Sequence, residues 1–307
     1  MANEYATDNN AHPDLSKLAG GLAIVTGGAS GIGYAILEAA VAHGLHAVIA
    51  DIDSDAIEEA RDKLKRGADS NELQVIGIEV DVSSEESVLS LQKTIAEQMP
   101  NVPISLLVCN AGVGAGGGVV GARDIDWDFV IGVNLKGVAH FARHFVPRML
   151  EQDAPGSFVA TSSQDGLCAA QGVYGVTKHA CVALCEALYQ ELQGRLSVHV
   201  LCPNVVGTNI VRSGTHRPER FGGPTPTSPA TEALVTRFKN YGMPPSRCAD
   251  MVFKAIQSGD FYILAEAEED PGHIYNQAKV RMDAILNHGR PFRPPSKFIS
   301  RVFRPGS

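Results

Sequence analysis

The feature that most narrows the folds open to this chain is the glycine turn VTGGASGIG at 25–33, set between the apolar run LAIVT and a segment of helical periodicity, IGYAILEAAVAHG. A strand that passes into a helix through closely spaced glycines turns tightly enough for main-chain N–H groups and the positive end of the helix to face one anion. Gly27, Gly31 and Gly33 let the backbone approach a pyrophosphate. The strand-then-helix rhythm repeats down the chain. HAVIAD precedes 55–67, QVIGIEVDV precedes 85–98, ISLLVCNAG precedes 126–150, and GSFVATSS precedes 174–193, which SVHVLCPN follows. Strands apolar throughout, alternating with helices, predict a parallel sheet covered on both faces, hence an α/β, doubly wound, Rossmann-type domain.

A single domain is expected over 18–286, preceded by a polar N-terminal extension, 1–17, and followed by a basic, proline-rich tail, 287–307. Residues 209–246 break the rhythm, being rich in Pro, Gly, Ser and Thr around the helix-like TEALVTRFKN. A long irregular insertion in a compact domain often serves as a lid. Its ordering is expected to accompany cofactor binding, with Phe221, Leu234, Val235 and Phe238 supplying apolar contacts once closed, and its Pro and Gly content keeping it out of the core. Substrate choice is expected here and in 166–172. The tail, with Phe292, Phe298 and Phe303 spaced along it, reads either as an arm docking on a neighbouring subunit or as a free end.

Composition enters as an exclusion. A net charge of -8 gives no reason to expect nucleic acid or an anionic membrane as partner. Glu38, His43 and His46 interrupt the richest apolar stretch, so none reaches the roughly 18 residues of a membrane helix. MANEYATDNNAHPD lacks the apolar core of a secretory signal, and the expected location is cytoplasmic. The 6 cysteines show no CxxC pair. Cys181 and Cys185 share a helix face, read as two small packed side chains in preference to half a metal site. His140, His144 and His179 show no ligand spacing, and the reading requires no metal.

The strand after the glycine turn ends in Asp51, close to where a carboxylate accepts hydrogen bonds from an adenosine ribose. The same carboxylate repels a 2′-phosphate, and neither Ala29-Ser30 nor Ile52-Asp53 brings an Arg or Lys to neutralise one. NAD is therefore expected over NADP.

TGGASGIG departs from the common GxGxxG spacing and resembles the short-chain dehydrogenase/reductase family. CNAG at 109–112 resembles that family's NNAG, with Cys109 replacing the first Asn; VNLKG carries Asn134, TSSQDG carries Ser162 and Ser163, YGVTK spans 174–178, and CPNVVGT at 202–208 resembles PGxVxT. The pieces cover 20–210 in the family's order. The resemblance implies a cofactor surface of Gly27, Ser30, Gly31, Ile32, Gly33, Asp51, Ile52, Asp81, Val82, Asn110, Ala111, Gly112, Tyr174, Lys178, Pro203, Val206 and Thr208. It also implies a catalytic set of Asn134, Ser163, Tyr174 and Lys178. Tyr174 would act as general acid/base, Ser163 would bind the substrate oxygen, Lys178 would lower the Tyr174 pKa and bind the nicotinamide ribose, and Asn134 would hold a water linking Lys178 to solvent. A free tyrosine, with a pKa of about 10, is a poor base at neutral pH, and a nearby ammonium favours its phenolate. Two departures stand out. The Ser163-to-Tyr174 interval is slightly short, which keeps Ser162 as an alternative hydroxyl, and Asn204 stands where Gly follows Pro203 in the family.

The implied reaction interconverts a small-molecule secondary alcohol and a ketone. SGTHRPERF and the later segments resemble a subgroup that includes bacterial NAD-dependent dehydrogenases of lignin-derived aryl ethers, acting on the benzylic Cα-alcohol, which points to a bulky, apolar or aromatic substrate. A biosynthetic ketoreductase running towards the alcohol, and a non-catalytic dinucleotide-binding scaffold, are the alternatives. By the same resemblance 126–150 and 174–193 would pair with a second copy in a homodimer or homotetramer, through Ala180, Ala183, Leu184 and Leu188. Replacing Asp51 by Ala or Arg should weaken NADH binding and relax the preference over NADPH, since each ribose bond to a charged acceptor contributes about 1.5–3 kcal/mol. A fluorescence titration reads this directly, and unchanged affinity for both cofactors would remove Asp51 from the ribose.

Overall fold

The computed structural model describes residues 15–67, 73–296, 299–300 and 303; most of the N-terminal extension, 1–14, and Phe298 of the tail lie outside them. Each apolar run becomes a strand and each periodic segment a helix. The order is β1 (Leu22–Thr26), α1 (Gly31–Ala42), β2 (His46–Asp51), α2 (Ser54–Gly67), β3 (Val75–Glu79), α3 (Glu85–Gln98), β4 (Ile104–Cys109), α4 (Asp124–Ile131) and α5 (Gly137–Glu151). There follow β5 (Ser157–Thr161), α6 (Gly172–Leu192), β6 (Ser197–Pro203), α7 (Pro229–Tyr241), α8 (Pro245–Ser258), β7 (Tyr262–Ala265) and α9 (His273–Leu286). Among the described residues the strands form one parallel sheet of 7, in the order β3-β2-β1-β4-β5-β6-β7.

The strands read as continuously apolar because the sheet is covered on both sides. Alternate residues go to opposite cores. Ile24, Val48, Leu107, Phe158 and Val200 pack with Phe141 and Phe145 of α5 on one face. Ala23, Val25, Ile49, Val108 and Leu201 pack with Ile36 of α1 and Val252 and Phe253 of α8 on the other. The chain reverses its direction of travel across the sheet between β1 and β4, and in such sheets the crevice beyond the strand ends at that point is where ligands sit.

The segment 126–150 is not one regular helix. Between α4 and α5 the chain makes a π-turn, Gly132–Lys136, of the kind often found at functional sites. Asn134 sits within this turn, and its side chain joins three partners elsewhere in the fold, described below.

The insertion after β6 forms short 3₁₀ turns, Ile210–His216 and Glu219–Phe221, followed by α7, whose N-terminus is capped by the Ser228 hydroxyl accepting from the Thr231 amide. It is seated in the protein, with Val235 and Phe238, two of the residues expected to make apolar contacts in a closed lid, and Met243 buried. Arg217, also buried, donates to Asp126 at 2.7 Å and to the Ile125 carbonyl at 2.9 Å, and its guanidinium lies 4.9 Å from the Phe129 ring centre. The described part of the tail packs against its own chain. The Pro294 carbonyl accepts from Gln277, Ser296 donates to Asp270, Ile299 packs beside Val205 and Phe238, and the Phe303 ring meets that of Phe238 edge-on at 5.6 Å.

Gly33 shows how tightly the turn is built. A Cβ there would lie 2.1 Å from the Gly27 carbonyl oxygen and 2.7 Å from the Asn110 amide nitrogen. Gly33→Ala should therefore cost about 1–3 kcal/mol of stability through forced backbone movement, together with dinucleotide binding. A denaturant midpoint and NADH affinity both at the wild-type level would show that the turn is free to relax.

Candidate active site

Beyond the ends of β1, β4 and β5 lies a cavity of about 1160 Å³ that runs from Asp51 and Asp81 at one end to Phe238 and the tail at the other. Its floor is a hydrogen-bonded lattice. The Thr26 hydroxyl, at the end of β1, accepts from the amides of Asn110 and Ala111, just past β4, at 2.9 and 3.0 Å. The Asn110 side chain donates to the carbonyls of Thr26 and Gly27 and accepts from the Thr161 hydroxyl at 3.2 Å.

On the first half of the cavity, Gly27 and Gly31 adopt φ of 61° and 55°, which side chains other than glycine rarely tolerate. Asp51 accepts from the amides of Ala29, Ile52 and Asp53, so the acid also folds the glycine turn against the end of β2. Burial raises its pKa, and those three amides oppose the rise. Thr208, just past β6, reaches the same turn, its methyl 3.0 Å from where a Cβ on Gly31 would lie. These residues could hold a dinucleotide: Gly27, Ser30, Gly31 and Ile32 would face its pyrophosphate, Asp51 and Ile52 a ribose, and Asp81 and Val82 the end beyond, all of them lining the cavity. Asn110, Ala111 and Gly112, with Pro203, Val206 and Thr208, line the other end of that path. Gly33 is the exception among the expected contacts, packing against Gly27 and Asn110 behind the turn. The lid crosses over this half as well, with Arg220 donating to Asp81 at 2.6 Å and His216 lying 3.5 Å from Asp53.

On the second half, Tyr174 and Lys178 line the cavity one turn apart on α6, with the Lys178 ammonium 5.6 Å from the Tyr174 ring centre. Lys178 is only 2% exposed, and its ammonium donates to the Thr161 carbonyl at 2.9 Å. Burial lowers its pKa. Gly112 leaves room for it, since a Cβ there would stand 3.3 Å from Nζ. The pull expected of Lys178 on the Tyr174 pKa is not what dominates: burial drives the phenol well above its ordinary value, and the Ser163 hydroxyl, hydrogen-bonded to it, is the group that lowers it.

The two serines separate by geometry. Ser162, 1% exposed, donates to the Lys178 carbonyl at 2.8 Å and ties the end of β5 to α6. Ser163 faces Tyr174 and accepts from the Asp165 amide at 3.1 Å. Asn134 accepts from the Val113 amide at 2.8 Å and donates to the Val113 carbonyl and the Thr177 hydroxyl. Both its amide hydrogens are thus engaged, leaving only Oδ1 with a lone pair for the expected water. Cys109 is buried in the core. Cys181 and Cys185 are packed in the same core. Asn204 accepts from the Val205 amide through its own side chain, while its Nδ2 is buried without a partner among the described residues.

Sequence reading missed Arg217, Arg220, Asp165 and Arg293. Arg293 of the tail pairs with Asp165, two residues beyond Ser163, at 2.5 Å. The lid arginines lie in the segment singled out as RPER, but nothing local to the tail signals a partner 128 positions away.

A dinucleotide-shaped crevice at the reversal point of a doubly wound sheet, with Tyr174 and Lys178 turned into it, defines an oxidoreductase of Rossmann type. The chain belongs to the short chain dehydrogenase family, whose model matches residues 21–219. It is 30% identical over 80% of its length to a CLA biosynthesis dehydrogenase/reductase of Lactiplantibacillus plantarum, 88% of which is covered. A C alpha-dehydrogenase of Sphingobium sp. is 29% identical, with 82% of each chain covered. Among solved structures, a short chain dehydrogenase/reductase from Burkholderia phymatum in complex with NAD superposes with a TM-score of 0.80 at 32% identity, covering 91% of this chain and 99% of that one.

Asn134→Ala would strand the Val113 amide and carbonyl in a buried site. It should lower stability by about 1–3 kcal/mol, read as a shift in urea midpoint. An unmoved midpoint would mean that water replaces the amide.

Proposed function

We propose that the chain is an NAD-dependent dehydrogenase that interconverts a secondary alcohol and a ketone, with Tyr174 as general acid/base. The observation that carries this reading is the Tyr174 phenol held at the cavity between the Ser163 hydroxyl and the Lys178 ammonium. A bound nicotinamide supplies the hydride acceptor or donor. The protein's own part is to move the proton on the substrate oxygen: Tyr174 takes it in oxidation and returns it in reduction, while Ser163 fixes that oxygen by a hydrogen bond. The Ser163 hydroxyl is what lowers the Tyr174 pKa, and Lys178, held by Thr161, would bind the nicotinamide ribose.

Asp51 supports NAD over NADP, since its carboxylate faces the ribose space and would repel a phosphate there. The bound NAD of the Burkholderia phymatum relative agrees with that choice. The substrate half of the cavity carries Val113, Phe129, Leu234, Phe238 and Phe303, which favours a bulky apolar or aromatic substrate. The C alpha-dehydrogenase relative supports the same class. The CLA biosynthesis dehydrogenase/reductase supports a second reading, a biosynthetic ketoreductase, which uses the same residues in the opposite direction.

On a panel of aryl and aliphatic secondary alcohols with NAD, followed at the nicotinamide absorbance, Tyr174→Phe should lower kcat by about 10²–10⁴-fold, with NADH affinity kept within a few fold. Ser163→Ala should also lower turnover strongly, whereas Ser162→Ala should act mainly on stability. Turnover undiminished in Tyr174→Phe would remove Tyr174 as the proton carrier, and binding without turnover across the panel in both directions would favour a non-catalytic scaffold.

A further inference from the structure

We infer that Arg293, carried by the C-terminal tail, is a positioning residue that completes the active site by holding Asp165 against Ser163 and Tyr174. This deepens the catalytic reading given above and rests on it. The tail is fixed just past Arg293: Gln277 donates to the Pro294 carbonyl at 2.6 Å, and Ser296 donates to Asp270 at 2.6 Å. Two successive prolines restrict the backbone, so Arg293 leaves this anchored segment in a defined direction. Its guanidinium meets the Asp165 carboxylate, with the two side chains only 16% and 17% exposed. An ion pair so placed is not the screened surface kind, and losing one partner leaves the other charge buried and unmatched.

Asp165 is the link to the chemistry. Its side chain is held by Arg293, and its main-chain amide donates to the Ser163 hydroxyl oxygen at 3.1 Å. With that oxygen occupied as acceptor from one side, the hydroxyl hydrogen is left to point towards the phenol and the substrate oxygen. The second link is electrostatic. Lys178 and Cys181 face Tyr174 from its own helix, Cys202 from β6, and Ser163 and Asp165 from the turn after β5. The Asp165 carboxylate opposes ionisation of the phenol, and the guanidinium of Arg293, paired with that carboxylate, is the charge that would offset it. The same opposition is visible at Cys168, on which Arg293 and Asp165 act in contrary directions. On its tail side Arg293 faces His273, near Asp270 and Glu266, and works against protonation of that imidazole. The tail thus delivers a charge to a turn that the rest of the chain leaves negative beside the proton carrier.

The test is a pH titration of Tyr174 in the full chain saturated with NAD. Incorporating 3-fluorotyrosine, whose phenol ionises more readily, brings the transition into the range where the protein is folded, and Tyr174→Phe assigns the resonance by fluorine NMR. In R293Q the Tyr174 midpoint should rise by about one pH unit, because the unmatched carboxylate disfavours the phenolate. R293K should keep it near wild type, and R293Q/D165N should bring it back down, since the opposing charge is then gone. On whichever alcohol of the panel is oxidised, R293Q should lower kcat at neutral pH about tenfold, with NADH affinity unchanged. A midpoint that stays in place in R293Q, or stays raised in the double variant, overturns the inference. If R293Q is too unstable to titrate, the comparison of R293K with the double variant decides: equal midpoints support the compensation, and a higher one in the double variant overturns it. Full turnover in Tyr174→Phe would defeat the catalytic reading instead, while the titration would still report whether Arg293 and Asp165 govern that phenol.

Discussion

The site depends on a single constraint, the hydrogen-bonded pinning of the strand ends where the sheet reverses. Thr26 receives two amides from the chain leaving β4, and Asn110 returns two bonds to the carbonyls of Thr26 and Gly27. Thr161 extends the path, its hydroxyl donating to Asn110 and its carbonyl receiving Lys178. The glycine turn at one end and the ammonium at the other are thus held in one lattice of neutral groups. Within a buried site such a lattice has few alternative arrangements, because every broken bond would strand a donor or an acceptor out of reach of water.

A buried ammonium is costly by itself, and it persists here because the fold leaves it few other places to go. Glycine at 112 vacates the space that Nζ approaches, and the end of β5 offers a carbonyl at hydrogen-bond distance. Ser162 engages the Lys178 carbonyl from the same strand end, so α6 is fixed by main chain as well as side chain. The charge therefore stands near a phenol that burial drives well above its ordinary pKa and that the Ser163 hydroxyl brings down. The opposing demands on Tyr174 and Lys178 come from the same desolvation, which disfavours the charged form of each.

The sheet, the glycine turn, Asp51 and the Tyr174/Lys178 pair were legible because each is written locally, as a run, a spacing or a strand end. Periodicity placed the helices to within a few residues, since their apolar faces meet the sheet directly. The π-turn was not legible: 126–150 keeps a helical pattern through it, and Val113 and Thr177, which hold the Asn134 side chain, lie outside the segment. The polar anchoring of the lid was not legible for a similar reason. Pro and Gly content describes backbone freedom, whereas Arg217 is fixed by Asp126, which belongs to another helix. The choice between Ser162 and Ser163 as the residue facing Tyr174 needed coordinates, because adjacent residues at a strand end point to opposite sides.

The π-turn also separates two rotational settings. A regular helix advances by about 100° per residue, so the one residue added to a turn offsets α5 from α4 by roughly that angle. Phe129 and Val130 before it and Val138, Phe141 and Phe145 after it nonetheless face one core. The widened turn works as a phase shifter between two apolar stripes, and it admits a polar residue at the seam without rotating either stripe away from the sheet. Substitutions on the two sides are in this sense uncoupled, whereas the number of residues between them is not.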